Sequence, residues 1–540
     1  MIRDLQSNPE PVTRLQAGVV VIGAGIAGLL LATRLAKCGI KVVVLESGGE
    51  LGSETATDPL NLVEQVGQPY RGATEGRSRG LGGTSRMWGG AMLPFLPCDM
   101  GPHTAGWPVE WPVCYSDVEP HFADIERVFA LQPGSYEAPE SDHGADADFL
   151  MRSAKWPAFR LRNVATALEK DIHNRLIDIW QNATVTSFEL ADNGRIARVS
   201  ARSLSANRLD VDVDLVVVAA GAIESTRLLL LLDAQNDERI FAPNRQLGHT
   251  FFDHLSTTAA TIMPLDRNRL NRTFGLKFEH NGMRDLRFEP SPALRRKHRL
   301  PGAFAHVSAF SHNSGGFTAL REIYRSLQAR SGIPSRSLRN LASDLPWLAK
   351  AGRWRWQHRR LLYPPDACLS LVLVTEQHPD PSNTIELSRT EHDCFGVPRA
   401  RLNWRTNDID LDKFATLQNL LCAHWDSSGL AELGSIAPTP RESWESKLQS
   451  DSDIFHPGGT TKMGRNASTG VVDGDLRAFH IPNLTVVSTS CFPTGGGANP
   501  TFMLMAFALR AADRIVAEMR PGWGTMTATA VSNTSTDTSS

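Results

Sequence analysis

Several things are missing from this 540-residue chain. No stretch is apolar for long enough to cross a bilayer. The amino terminus, MIRDLQSNPEPVTRLQ, has no apolar core of the kind a secretion signal needs. The seven cysteines are scattered, odd in number and nowhere spaced C-x-x-C. That excludes a disulfide framework and a redox dithiol, and reduced thiols imply a cytoplasmic location. Charge of one sign is missing too: 56 basic against 58 acidic residues leave a net −2, which offers nucleic acid no basic footprint. No internal repeat recurs. What remains is a globular composition, 41% hydrophobic, with length for two or more domains with their own cores.

The first positive signal is VVVIGAGIAGLLLATRLAKCGIKVVVLE, residues 19–46. Residues 19–22 form an apolar run, as a buried parallel strand should. Gly23, Gly25 and Gly28 follow at G-x-G-x-x-G spacing. The first permits the turn, the second lets a pyrophosphate approach the backbone, and the third lets the helix pack on the strand. Residues 29–38 continue as that helix, whose N-terminus offers free N–H groups and a positive dipole end to phosphate. A second strand, 41–45, ends in Glu46. An acid about 20 residues past the glycines accepts ribose hydroxyls and argues against a 2′-phosphate. Strand, glycines, helix, strand and acid together predict FAD or NAD. The plain alternative is a βαβ unit without a ligand.

Residues 214–220 (DLVVVAA) read as another buried strand, with a helix over 223–231, and 182–190 with 196–204 as a hairpin. Strand-like runs at 259–263, 303–310, 369–375 and 383–388 predict an antiparallel sheet in a second domain. The expected fold class is α/β: a discontinuous Rossmann-like dinucleotide domain, 16–255 with 451–520, and a substrate domain, 256–450, built on an antiparallel sheet with helices. Residues 1–15 and the Ser/Thr-rich 521–540 are expected to be flexible. Segment 321–360 is strongly basic and amphipathic, carrying Arg353, Arg355, Arg359 and Arg360 among others. It reads as a solvated helical insertion, as a surface for an anionic carrier or membrane, or as a lid.

The chain resembles the glucose–methanol–choline (GMC) oxidoreductases. The resemblance spans roughly 18–518 and rests on seven motifs in the family's order: VIGAGIAG with Glu46, RGLGGTSRMWGGAM, WPVCYSDVEPHF, VVVAAGAIESTRLLLL, LGHTFFDH, HPGGTTKMG and FPTGGGANPT. Within the family the chain is similar to the bacterial sugar and polyol dehydrogenases. Membership implies an FAD enzyme that oxidises a CH–OH group by hydride transfer to flavin N5. It places the base at His456 and a positioning residue at Asn499, with Asn499–Pro500 also reading as a helix cap followed by Pro at the first helical position. His249 and His254 read as structural. Gly82, Gly83 and Thr84 would set N–H groups against phosphate, and Gly89 beside Trp88 would allow close approach to the flavin ring. Further contacts fall on Val185, Ala220, Gly221, Pro500 and Thr501.

Two departures stand out. Where some members attach flavin through a His, this chain has Arg86-Met87-Trp88, so the FAD is expected to be non-covalent. Where many members have an acid before F-P, it has Ser488-Thr489-Ser490. The expected partner is a small, sugar-like alcohol, with no metal and no nucleic acid. The electron acceptor is left open by the residues: an oxygen-using oxidase and a flavin-bearing lyase are the alternatives.

Overall fold

The computed structural model describes residues 1–49, 58–138, 147–241, 246–311, 315–329, 332–450 and 454–519. The tail 521–540 and Arg330 of the basic segment lie outside the described residues.

Three sheets organise the described residues. The first has eight strands in the order Ile2–Asp4, Ile177–Gln181, Val42–Leu45, Val12–Ile22, Arg208–Val218, Ile196–Arg202, Thr184–Leu190, with Leu484–Val486 also paired to Arg208–Val218. Its central pairings are parallel, and the added hairpin is antiparallel. Val19, Val20 and Val21 are fully buried because helices cover both faces. One of these helices, Ile26–Lys37, packs on the C-terminal helix Thr501–Met519, to which Arg34 pairs through Asp513. Burial of each such Val or Leu stabilises by about 1.5–3 kcal/mol.

The second sheet is antiparallel: Lys277–Glu279, Gly282–Pro290, Ala303–Phe310, Cys368–Glu376, His254–Pro264 and Gly434–Pro438. Leu369, Leu371 and Leu373 alternate onto one face and are buried in a core shared with Phe414, Leu417 and Leu421 of the long helix Asp408–Ser427. The other face looks back toward the first sheet.

Three expectations change. Residues 1–15 are not loose: Ile2–Asp4 is an edge strand parallel to Ile177–Gln181, and the next strand already begins at Val12. Phe149–Pro157, inside the range assigned to the dinucleotide domain, belongs to the second sheet, where it pairs in register along all of Gly282–Pro290. Thr384–His392 leaves the second sheet and forms a small third one with Pro398–Trp404 and Glu64–Gly67. The basic segment forms three helices, Gly315–Ala329, Ser335–Ser343 and Leu345–His358. Among the described residues no helix is long and apolar enough to cross a membrane.

Candidate active site

A cavity of about 920 Å³ runs between the first two sheets. Its two ends are built differently.

At one end the N-terminal motif does what its spacing implies. A Cβ built on Gly25 would meet nothing within 4 Å, so the backbone there borders open space. One on Gly28 would lie 2.0 Å from the Gly23 oxygen, so the helix can sit this close to the strand only with glycine. Gly28 and Gly82 do not line the cavity and serve packing. Gly23, Gly25, Glu46, Gly83, Thr84, Trp88, Gly89, Val185, Ala220, Gly221, Pro500 and Thr501 all do. Glu46 also has a structural role. Its buried carboxylate accepts N–H groups from Ala24 (2.8 Å), Gly48 (2.9 Å) and Gly80 (2.9 Å), clamping three turns together. Behind it, Arg79 reaches Ser47 and Glu224, and burial is outweighed at Glu224 by Arg227, Arg79 and Arg77, which hold its carboxyl at about 2.

At the other end stand His456 and Asn499. Phe455, at φ 66°, turns the chain sharply just before the histidine, and the Asp253 carboxylate accepts the backbone N–H of His456 at 2.8 Å. Asn499 ends a glycine loop held by Glu376, which accepts the Gly496 N–H at 2.8 Å. Burial would raise the Glu376 carboxyl, but His103, Arg295 and the Gly302 N–H bring it down to about 2. Asn499 Nδ2 lies 3.0 Å from His456 Nε2, and Arg287 Nη1 donates to Asn499 Oδ1 at 2.5 Å. A guanidinium can only donate, so Arg287 must face the amide oxygen. The amide nitrogen therefore donates to His456 Nε2, which presents a lone pair. Burial, then His254, then Arg287 push His456 well below its ordinary pKa, so the imidazole stays neutral. Asn499 thus does not cap its helix through the side chain as expected, because Arg287 and His456 have taken both ends of the amide.

His254 is fully buried and donates from Nε2 to the Gly496 carbonyl at 2.9 Å, with its ring edge-on to His456 at 5.2 Å. Partly exposed His249 lies against the Pro381 carbonyl, outside the cavity lining. Met87 lines the cavity and has no group that could attach a cofactor.

Sequence reasoning missed the wall opposite. Ser256, Arg287, Phe304, His306 and Val374 share the inner face of the second sheet, set there by strand alternation and by the register that aligns Ser256 and Phe304 with Val374. Burial and Arg287 lower His306 to about 4. The basic segment also reaches the cavity. Helix Gly315–Ala329 contributes Arg325, Ser326 and Gln328 to its lining, and Gln328 Nε2 donates to the Ser85 and Trp88 carbonyls at 3.2 and 2.8 Å. Tyr324 of the same helix stacks on Phe159 at 4.5 Å. This helix caps the cavity.

Residues 379–508 match the GMC oxidoreductase family model, described as "GMC oxidoreductase", and residues 21–68 match a NAD(P)-binding Rossmann-like domain. Residues 379–508 thus carry the GMC oxidoreductase C-terminal domain, and the chain as a whole is similar to the GMC oxidoreductases. Similar proteins include 2-methyl-1,2-propanediol dehydrogenase of Mycolicibacterium austroafricanum, at 22% identity over 93% of this chain and 95% of that one. Paromamine 6′-oxidase of Streptomyces fradiae is 24% identical over 93% and 91%. The fold is shared with pyridoxine 4-oxidase from Mesorbium loti, at TM-score 0.59 and 17% identity over 92% of this chain and 99% of that one. GMC oxidoreductases are flavoproteins. The residues of this chain fit an FAD: the open cradle at Gly25 and the free N–H groups of the helix behind it suit a pyrophosphate, and Glu46 and Val185 line the same end.

Proposed function

We propose that this protein oxidises the CH–OH group of a small polyhydroxylated alcohol. The observation that carries this reading is the neutral His456, its Nε2 lone pair directed at Asn499, in the same cavity as the dinucleotide cradle. Bound FAD, non-covalent because Met87 stands at the attachment position, would supply the hydride acceptor. A substrate hydroxyl entering between the two side chains would donate its proton to His456 Nε2 and accept from Asn499 Nδ2, replacing their mutual hydrogen bond. His456 then acts as the base, and Asn499 fixes the direction of the carbinol carbon. Helix Gly315–Ala329 keeps bulk water out by covering the mouth, which favours the lid reading of the basic segment over carrier docking. The names of the curated relatives mention 2-methyl-1,2-propanediol, paromamine and fructose, which agrees with a polyol or sugar-like substrate.

The test is anaerobic mixing of the yellow holoprotein with a panel of diols, polyols and sugars. Bleaching of the flavin band by at least one of them is expected. A band unmoved by every alcohol, with flavin present, would overturn the reading.

A further inference from the structure

The dinucleotide end sends charges of both signs to the cavity, whereas the second sheet and the capping helix send only positive ones. Of the lining carboxylates, Glu46 and Glu224 are engaged with backbone and guanidinium partners at the dinucleotide end, and Glu75 sits on an exposed turn. None comes from the second sheet or the capping helix. The charged side chains that those two elements send to the cavity are Arg287 and Arg325. Arg287 is 4% exposed. Its Nη1 is used on Asn499, its Nε lies 3.5 Å from Asp285, and its Cζ sits over the Phe304 ring at 4.3 Å. Its Nη2 donates to no described residue. Arg325 makes no ion pair with any described residue. Arg162, buried beside the capping helix, is stacked on Phe159 at 3.8 Å and likewise has no carboxylate partner. Burial, and to a lesser extent Arg325, lower the Arg162 guanidinium to about 9. His306 adds a neutral ring whose Nε2 engages no described residue.

A buried guanidinium whose Nε is shared with Asp285 but whose Nη2 has no described partner, with a second, exposed guanidinium at the mouth, suits a ligand that brings a carboxylate. We infer that the alcohol this site takes is a hydroxy acid, its carboxylate held by Nη2 of Arg287 beside the reacting hydroxyl and drawn in by Arg325 at the mouth. The inference rests on the proposed alcohol oxidation for the identity of the reacting group, but not for the charge. Because Arg287 touches Asn499, the carboxylate lies one or two carbons from the carbinol. A neutral polyol would fill the same space and leave Arg287 Nη2 unmatched.

The test uses the holoprotein and carbon-matched pairs: lactate with 1,2-propanediol, glycerate with glycerol, gluconate with sorbitol. The dissociation constant is read from the concentration dependence of anaerobic flavin reduction. Propionate, which has no hydroxyl, is titrated separately against the flavin absorbance, so that anion binding is read without oxidation. At least one acid is expected to bind ten-fold or more tightly than its neutral partner, a difference of about 1.4 kcal/mol. Raising the salt concentration should narrow that ratio. Arg325→Gln, on an exposed helical position that tolerates the change, should also narrow it, and Arg287→Met should abolish it for propionate as well. The inference is overturned if no acid binds more tightly than its partner, or if Arg325→Gln and Arg287→Met leave the ratio as it was. Bleaching by alcohols without preference for acids removes the inference and keeps the proposed function. Propionate binding that depends on Arg287, with no bleaching by any alcohol, removes the proposed function and keeps the anion site.

Discussion

The two ends of the cavity are made from opposite kinds of sequence. The dinucleotide end is local: Gly23, Gly25, Gly28 and Glu46 lie within one βαβ unit, and their contacts run mostly to backbone. The reaction end is assembled from far apart. His456 and Asn499 come from two loops, Arg287 and His306 from two strands of the second sheet, and Gln328 from the capping helix. The first end is therefore fixed by turn geometry and the second by strand register and buried charge. Cofactor content and chemical rate should accordingly be separable by mutation.

The largest effect is expected at the cradle. Gly25→Val should leave the apoprotein folded, because the added side chain meets open space, yet should bring flavin content of the purified protein close to zero. A variant with normal absorbance in the flavin band would show that this end does not hold the cofactor. At the reaction end, Asn499→Ala should slow flavin reduction by about 10²-fold, the scale of a lost orienting contact. Flavin content should be preserved, because the side chain does not cap the helix. Loss of flavin in this variant would blur the distinction between the ends.

Acidity sharpens the same comparison. His456 is held below its ordinary pKa, so its base form persists on acidification, and the rate falls only when pH drops through the lowered value. Flavin reduction should stay level from pH 8 to below 6.5. Removing the Arg287 charge eliminates one of the causes that lower His456, so in Arg287→Met the acid limb should move to higher pH. A limb centred at 6.5 in the wild type would mean that the histidine is solvated. The smallest effect is expected at the cap. Gln328→Ala removes two hydrogen bonds to the Ser85 and Trp88 carbonyls, each worth about 1 kcal/mol. It should raise KM a few-fold with kcat nearly kept. A change in kcat alone would argue against a role in closing the mouth.

How much of this could be read from the chain follows the same division. Gly25 and Glu46 were legible because their spacing alone determines what they face, although the clamp that Glu46 makes on Gly80 needed a third turn that sequence does not locate. His456 and Asn499 were legible only through motif resemblance. The helix-cap reading of Asn499 was wrong because Arg287, more than two hundred residues away, captures the amide. Arg287 and His306 gave no signal at all: an alternating strand shows which residues share a face, but not which neighbour its register brings alongside. Phe149–Pro157 was misplaced for the same reason, since strand pairing is not encoded in one strand's own pattern.

The most direct measurement is single-turnover flavin reduction by an oxidisable alcohol, without oxygen, in His456→Ala and wild type at matched FAD content. Full FAD occupancy with reduction slowed by at least about 10²-fold is the result expected of a positioned base. Reduction at the wild-type rate in the flavin-loaded variant would contradict the assignment of His456 and, with it, the division of the cavity into a binding end and a chemical end.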